Sequence, residues 1–181
     1  FHGHEEEIFE MNMDYYRKKI PLCKEYNVKA GIENMFQVDP RRKHIIHDTC
    51  SKKEEFIRYI APLDREYMVG LLDVGHVGLP LQDDEAEDFI KALGHDRLYG
   101  LHIHDNDYKS DNHVMPYMGK LNWTNIATAL GKIDYRGDFT YEAGFPFFEN
   151  CDEEFMPKAV KFTEQIGRHL CDIVERERIK K

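Results

Sequence analysis

Four short apolar runs in this chain each end on a carboxylate or an imidazole. Val28-Lys29-Ala30 leads into Gly31-Ile32-Glu33-Asn34, and Val69-Gly70-Leu71-Leu72 leads into Asp73-Val74-Gly75-His76. Leu98-Tyr99-Gly100-Leu101 leads into His102-Ile103-His104-Asp105-Asn106-Asp107, and Phe139-Thr140-Tyr141 ends on Glu142. A run of this kind reads as a buried parallel strand with a functional residue at its carboxyl end. Four in order predict one site assembled from several βα loops, as on the top face of a β/α barrel. Glu, Asp, His and Glu converging on one point make a hard, mostly oxygen ligand set for a divalent metal.

Alternation along a strand decides which side chains share a face. Asp73 shares its face with Leu71 and Val69, and Glu142 with Thr140. His102 and His104 are two apart and point the same way. With Asp73, His104 and Glu142 toward the barrel axis, the apolar residues below them fill the core. His102 then lies one layer deeper than His104 and is expected to pack or support, not to ligate.

The elements that position these residues are legible from periodicity. Glu5 to Tyr26 reads as a helix, with Phe9, Met13, Tyr16, Ile20 and Cys23 on one face and Pro21 predicting a kink or end near Ile20. A strand from Val28 to Glu33 follows, then a loop at Asp39-Pro40-Arg41-Arg42. Ser51-Lys52-Lys53-Glu54 has the capping-box pattern for a helix with a Phe56, Ile60, Leu63 stripe. Tyr67 to Asp73 is the next strand, Gln82 to Leu93 an acidic helix stopped by Gly94, and Leu98 to His104 the third strand. Tyr108 to Leu121 is a long loop on the ligand side, Trp123 to Lys132 a helix, and the last strand ends at Glu142. Asp152 is a cap for a final helix with Phe155, Ala159, Phe162, Ile166, Leu170 and Ile173 on one face.

The 181 residues can bury a sizeable core, but a complete β/α barrel takes about 200 residues or more. Only four strand-then-helix units are present, and the chain opens on Phe1-His2-Gly3-His4 without Met. We therefore expect one α/β domain over residues 1–181, the carboxyl-terminal half of a barrel and incomplete at its amino end; the alternative is a self-contained four-unit domain. The 34 acidic against 25 basic residues, net −9, argue against a nucleic-acid partner. Four cysteines (Cys23, Cys50, Cys151, Cys171) without C-x-x-C spacing point to reduced thiols and a cytoplasmic location. No apolar stretch approaches the roughly 18 residues of a membrane span.

The sequence resembles the xylose isomerase-like barrel superfamily of sugar epimerases, hydroxypyruvate isomerases and abasic-site endonucleases. The matching stretches are Ile32-Glu33-Asn34-Met35, Leu72-Asp73-Val74-Gly75-His76 and Leu101-His102-Ile103-His104-Asp105-Asn106-Asp107. Asp111-Asn112-His113 with Pro116, Gly119 and Trp123 follows, then Tyr141-Glu142-Ala143-Gly144. Each motif alone is weak; five in the family's order, from about Glu5 to the end of the chain, are specific. The resemblance implies a (β/α)8 TIM barrel of which these are the last four strands. It implies one divalent ion (Mn, Mg, Co or Zn) on Glu33, Asp73, His104 and Glu142. His76 and His113 match positions that hold substrate in the sugar enzymes, and with Asp111 they match ligands of additional zinc ions in the endonucleases. Trp123 is a helix-start packing residue that can also face substrate.

The expected chemistry is proton transfer beside a carbonyl of a small carbohydrate, phosphorylated or not, through an enediolate, with Glu33 and Glu142 as base and acid and His76 at the oxyanion. The alternatives are a zinc-dependent phosphodiesterase of the abasic-site endonuclease type and a non-catalytic barrel fragment. Asp111 and His113 favour the endonuclease; the acidic balance opposes it, with Arg41, Arg42 and Lys43 as the one basic cluster on the ligand-side loops. Met115-Pro116-Tyr117-Met118-Gly119 is bulkier than the sugar-enzyme pattern. Asp105 and Asp107 read as loop residues holding backbone. His44, His47, His95 and His169 read as surface residues, and Asp83 to Asp88 as a solvated helix face. Open sheet edges predict a homo-oligomer.

Overall fold

The computed structural model describes residues 3–80 and 84–180. In chain order the elements are α1 (Glu5–Tyr26), β1 (Ala30–Glu33), β2 (Phe36–Val38), β3 (Ile45–His47), α2 (Lys53–Ile60) and β4 (Met68–Asp73). Then come α3 (Ala86–Arg97), β5 (Leu98–Ile103), α4 (Trp123–Lys132), β6 (Phe139–Tyr141), α5 (Phe145–Phe148) and α6 (Met156–Ile179). Strands β1, β4, β5 and β6 form one parallel sheet in that order. A parallel pair needs a long crossover, and α2, α3 and α4 supply them. The architecture is that of half a β/α barrel.

The core lies between sheet and helices. Leu72, Val74, Leu101 and Ile103 of the sheet side meet Phe56 and Ile60 of α2, Phe89 and Ile90 of α3 and Ile126 and Leu130 of α4, all almost fully buried. On β5 the buried Leu101 and Ile103 alternate with the part-exposed Gly100 and His102, so His102 stands on the face away from the helices.

Several local expectations change. Helix α1 continues through Pro21 to a left-handed cap at Asn27 (φ 51), whose N–H bonds Cys23 and Lys24 carbonyls. The cap of α2 falls at Lys52, one residue past the expected Ser51, and makes no side-chain cap hydrogen bond, while the Ser51 hydroxyl lies 2.9 Å from His47 Nδ1. Helix α3 starts at Ala86, with Glu85 and Asp88 forming a capping box; the expected start at Gln82, and Asp83, lie outside the described residues. Gly94 breaks its regular part at φ 62, as its place in the sequence predicts. Phe155 and Phe162, assigned to the buried face of α6, are exposed (44% and 45%), whereas Ala159, Leu170, Ile173 and Val174 are buried. The antiparallel hairpin β2–β3 has strands of three residues, too short for alternation to announce.

Candidate functional site

The four sheet strands end together, and their carboxyl ends carry the charged groups. Strand β1 delivers Glu33, β4 delivers Asp73, and Glu142 follows β6, its N–H bonded to the Ile103 carbonyl at 3.2 Å. Glu33, Asp73, His102 and Glu142 each offer a ligand atom within 4.8 Å of the others. His102 Nδ1 lies 2.9 Å from Glu33 Oε1 and 3.0 Å from Glu142 Oε2. One ring N–H can serve only one of these oxygens. Glu142 Oε2 and Asp73 Oδ2 are buried without a hydrogen-bond partner among the described residues. Buried carboxylate oxygens in that state are costly unless a cation or donor meets them, so the group fits a divalent ion.

The histidine in this group is His102, where alternation and the resemblance pointed to His104. His102 is the β5 residue that the β4–β5 ladder sets level with Asp73. Gly70 pairs with Leu98, but Leu71 pairs with Gly100, so the ladder skips Tyr99 and Asp73 comes level with His102. Without that bulge Asp73 would face Leu101. Strand β5 then ends at Ile103, and His104 leaves it to lie beneath the Asp73 loop. Only glycine suits position 75, since a Cβ there would lie 2.0 Å from the His104 ring.

His104 is fully buried and its Nε2 lies 2.9 Å from Asp73 Oδ1. Burial opposes ionisation of both groups. For Asp73 the hydrogen bond and charge of His104, with His76 nearby, outweigh it and hold the carboxyl below its ordinary value. For His104 the Asp73, Asp111 and Glu142 carboxylates outweigh it and raise the imidazole. Glu33 differs: burial is its largest influence and holds it above the ordinary carboxylate value, with His102 pulling the other way.

Beyond this centre, His104 also joins Asp73 and His76 in one group and Asp111 and His113 in another. The His104 and His113 rings stack at 4.3 Å and 17°. His76 Nδ1 is 3.0 Å from the Asn34 carbonyl, and His113 Nδ1 bonds the Glu142 carbonyl. A carbonyl only accepts, so each Nδ1 carries the proton and each Nε2 keeps its lone pair when the ring is neutral. Both Nε2 atoms face Asp111 Oδ2, at 3.9 Å from His76 and 2.9 Å from His113. The hairpin β2–β3 leans on this region through Phe36, whose ring meets His76 edge-on at 4.9 Å.

Glu33, Asp73, His76, His104, Asp111, His113 and Glu142 are thus brought together. Trp123, a candidate for the substrate surface, is instead buried, its indole N–H donating to Asp105 Oδ2 at 2.9 Å. The residues that sequence reasoning underrated are His102 and Asn34. The Asn34 side chain accepts from the Asp73 N–H at 2.8 Å and donates to the Asp73 carbonyl at 2.9 Å. His44, His47, His95 and His169 are exposed, as expected.

Two curated relatives, neither functionally characterised, match the sequence. A protein of Sinorhizobium fredii is 40% identical over 124 residues, 66% of this chain and 35% of that protein. One of Methanocaldococcus jannaschii is 23% identical over 136 residues, 75% of this chain and 44% of that protein. The chain therefore spans less than half the length of either. Among solved structures, a D-tagatose 3-epimerase-like protein superposes with a TM-score of 0.74 at 21% identity, covering 98% of this chain and 59% of that one. The IolI protein with a binding zinc atom gives 0.66 at 17%, covering 95% and 58%. The 3-keto-D-glucoside 4-epimerase of E. coli gives 0.60 at 18%, covering 87% and 53%. The sequence profile of one family matches residues 2–165, and by that match the chain belongs to the xylose isomerase-like TIM barrel family.

Proposed function

We propose that this half barrel carries the metal centre of a divalent-metal-dependent isomerase or epimerase acting on a sugar or sugar phosphate. The observation that carries the reading is the group Glu33, Asp73, His102 and Glu142, with buried, unpartnered oxygens on Asp73 and Glu142. We assign the ligands to these four, with His102 in place of His104. The solved epimerase structures of the same fold support the carbohydrate class, and the zinc atom in the IolI structure supports a metal on this scaffold.

A divalent ion on these ligands would supply Lewis-acid polarisation of a carbonyl and its neighbouring hydroxyl. Glu33 and Glu142, on strands that are not neighbours in the sheet, would flank the substrate. One removes the proton beside the carbonyl, giving the enediolate, and the other returns a proton. The raised Glu33 suits a group that must hold a proton part of the time. His76, its Nδ1 proton committed to Asn34, presents Nε2 for a proton from a substrate hydroxyl. Asp111 and His113 would bind substrate hydroxyls.

The test is elemental analysis of protein purified without chelator, alongside Glu142→Gln. About one manganese, cobalt or similar ion per chain is expected, with Glu142→Gln folded, binding the ion more weakly and losing activity by orders of magnitude. No bound ion after manganese, cobalt or zinc is added, or full activity in Glu142→Gln, would overturn the reading. A second reading is favoured by the two imidazole Nε2 atoms aimed at Asp111: a zinc-dependent phosphodiesterase. Two or three zinc ions per chain would select it.

A further inference from the structure

The segment from Asn106 to Leu121 carries Asp111 and His113 but contains no helix or multi-residue strand. It includes three residues with side chains in the left-handed region, Tyr108 (φ 61), His113 (φ 47) and Tyr117 (φ 74). Such backbone persists only where surrounding contacts hold it.

Contacts from both ends and the middle of the segment converge on Asp105, which is fully buried. Its Oδ1 accepts the N–H of Asn106 at 2.9 Å and of Leu121 at 3.1 Å, the two ends of the segment. Its Oδ2 accepts the indole N–H of Trp123 at 2.9 Å. Its main chain exchanges both hydrogen bonds with Val114, at 2.7 and 3.1 Å, one residue past His113. A Cβ on Gly119 would fall 2.3 Å from Asp105 Oδ1, so the segment closes tightly over the carboxylate. From this hub the segment reaches both neighbouring loops. The Asn106 amide donates to the Gly75 carbonyl at 2.7 Å, and the His113 carbonyl accepts the Gly144 N–H at 2.7 Å.

We propose that Asp105 is a positioning residue of the site: its carboxylate, fixed by the Trp123 indole, locks segment 106–121 so that Asp111 and His113 stand against His76 and His104. The consequence for turnover rests on the reading that Asp111 and His113 contact the substrate; the consequence for the segment's conformation does not. Three N–H donors meet the Asp105 carboxylate. In Asp105→Asn the amide NH2 faces an N–H donor whichever way it is turned. Trp123→Phe is milder and leaves Oδ2 without its partner.

The experiment is hydrogen exchange by mass spectrometry on the chain, for Asp105→Asn, Trp123→Phe and the double variant. Amides of 106–121 should exchange at least about tenfold faster in each single variant, while β4, β5 and α2 keep wild-type protection. The double variant should loosen the segment by less than the product of the single effects, because both changes break the same bond. Unchanged exchange in 106–121, acceleration spread evenly over all elements, or full additivity would overturn the proposal. In a turnover assay, Trp123→Phe should raise KM about tenfold with kcat within about threefold; an unchanged KM despite a loosened segment would also overturn it. A chain with no turnover would count against the proposed reaction while leaving the exchange result decisive.

Discussion

His102 and His104 are two residues apart, of one type and in one motif, yet they do different work. His102 touches Glu33 and Glu142 and stands level with Asp73. His104 touches Asp73 from below, fully buried, and bridges to Asp111. A ligand and a group that orients a ligand have different signatures on removal. Loss of an orienting partner typically costs 10–100-fold in metal affinity. His102→Ala should therefore weaken manganese binding by more than about 100-fold, and His104→Ala by about 10–100-fold. Calorimetric titration of the two variants checks this; a reversed order would return the ligand role to His104. His104→Ala should also be the less stable protein, since the buried Asp73 carboxylate loses its imidazole partner and keeps the His76 N–H at 2.9 Å.

At the scale of elements, the site depends on how β1 meets β4. Their ladder pairs Glu33 with Leu71 and ends there. Asn34 extends the junction by two residues with its side chain, satisfying both main-chain groups of Asp73 while its own carbonyl receives His76 Nδ1–H. Asn34 thus sets the separation of Glu33 from Asp73 with its side-chain amide and the tautomer of His76 with its main-chain carbonyl. Asn34 is 1% exposed, so in Asn34→Ala the Asp73 N–H and carbonyl lose their partner with water unable to replace it fully. The expected loss is about 2–4 kcal/mol of stability, measurable by urea denaturation. A loss within about 0.5 kcal/mol would mean the strands hold their junction without the clasp.

For the whole molecule, the four-stranded sheet leaves β1 and β6 with one neighbour each among the described residues. Large apolar side chains are exposed on the helices: Met11, Tyr15 and Leu22 on α1, Val160 and Phe162 on α6. Unpaired edges and apolar helix faces favour association. The 181-residue chain in isolation should self-associate, and light scattering after size exclusion would detect it. A monodisperse, cooperatively unfolding monomer would show that half a barrel suffices as a folding unit. No helix among the described residues is long and apolar enough to cross a membrane.

The amino-acid sequence by itself determined the α/β rhythm, the parallel strands and the three carboxylates at their ends. Apolar runs bounded by turn residues and helical spacing are local signals that tertiary context here reinforces. Helix Trp123–Lys132 appears with the bounds its periodicity predicts, and Glu33, Asp73 and Glu142 meet as their strand ends imply. The tertiary structure alone decided which histidine joins them. The β4–β5 ladder, which skips Tyr99, sets His102 level with Asp73, while His104 lies past the end of β5. It likewise decided that Trp123 faces Asp105 and not the site, and that Asn34 clasps Asp73. Hydrogen bonds between residues tens of positions apart leave no periodic trace in sequence; they exist only once neighbouring strands have fixed their register.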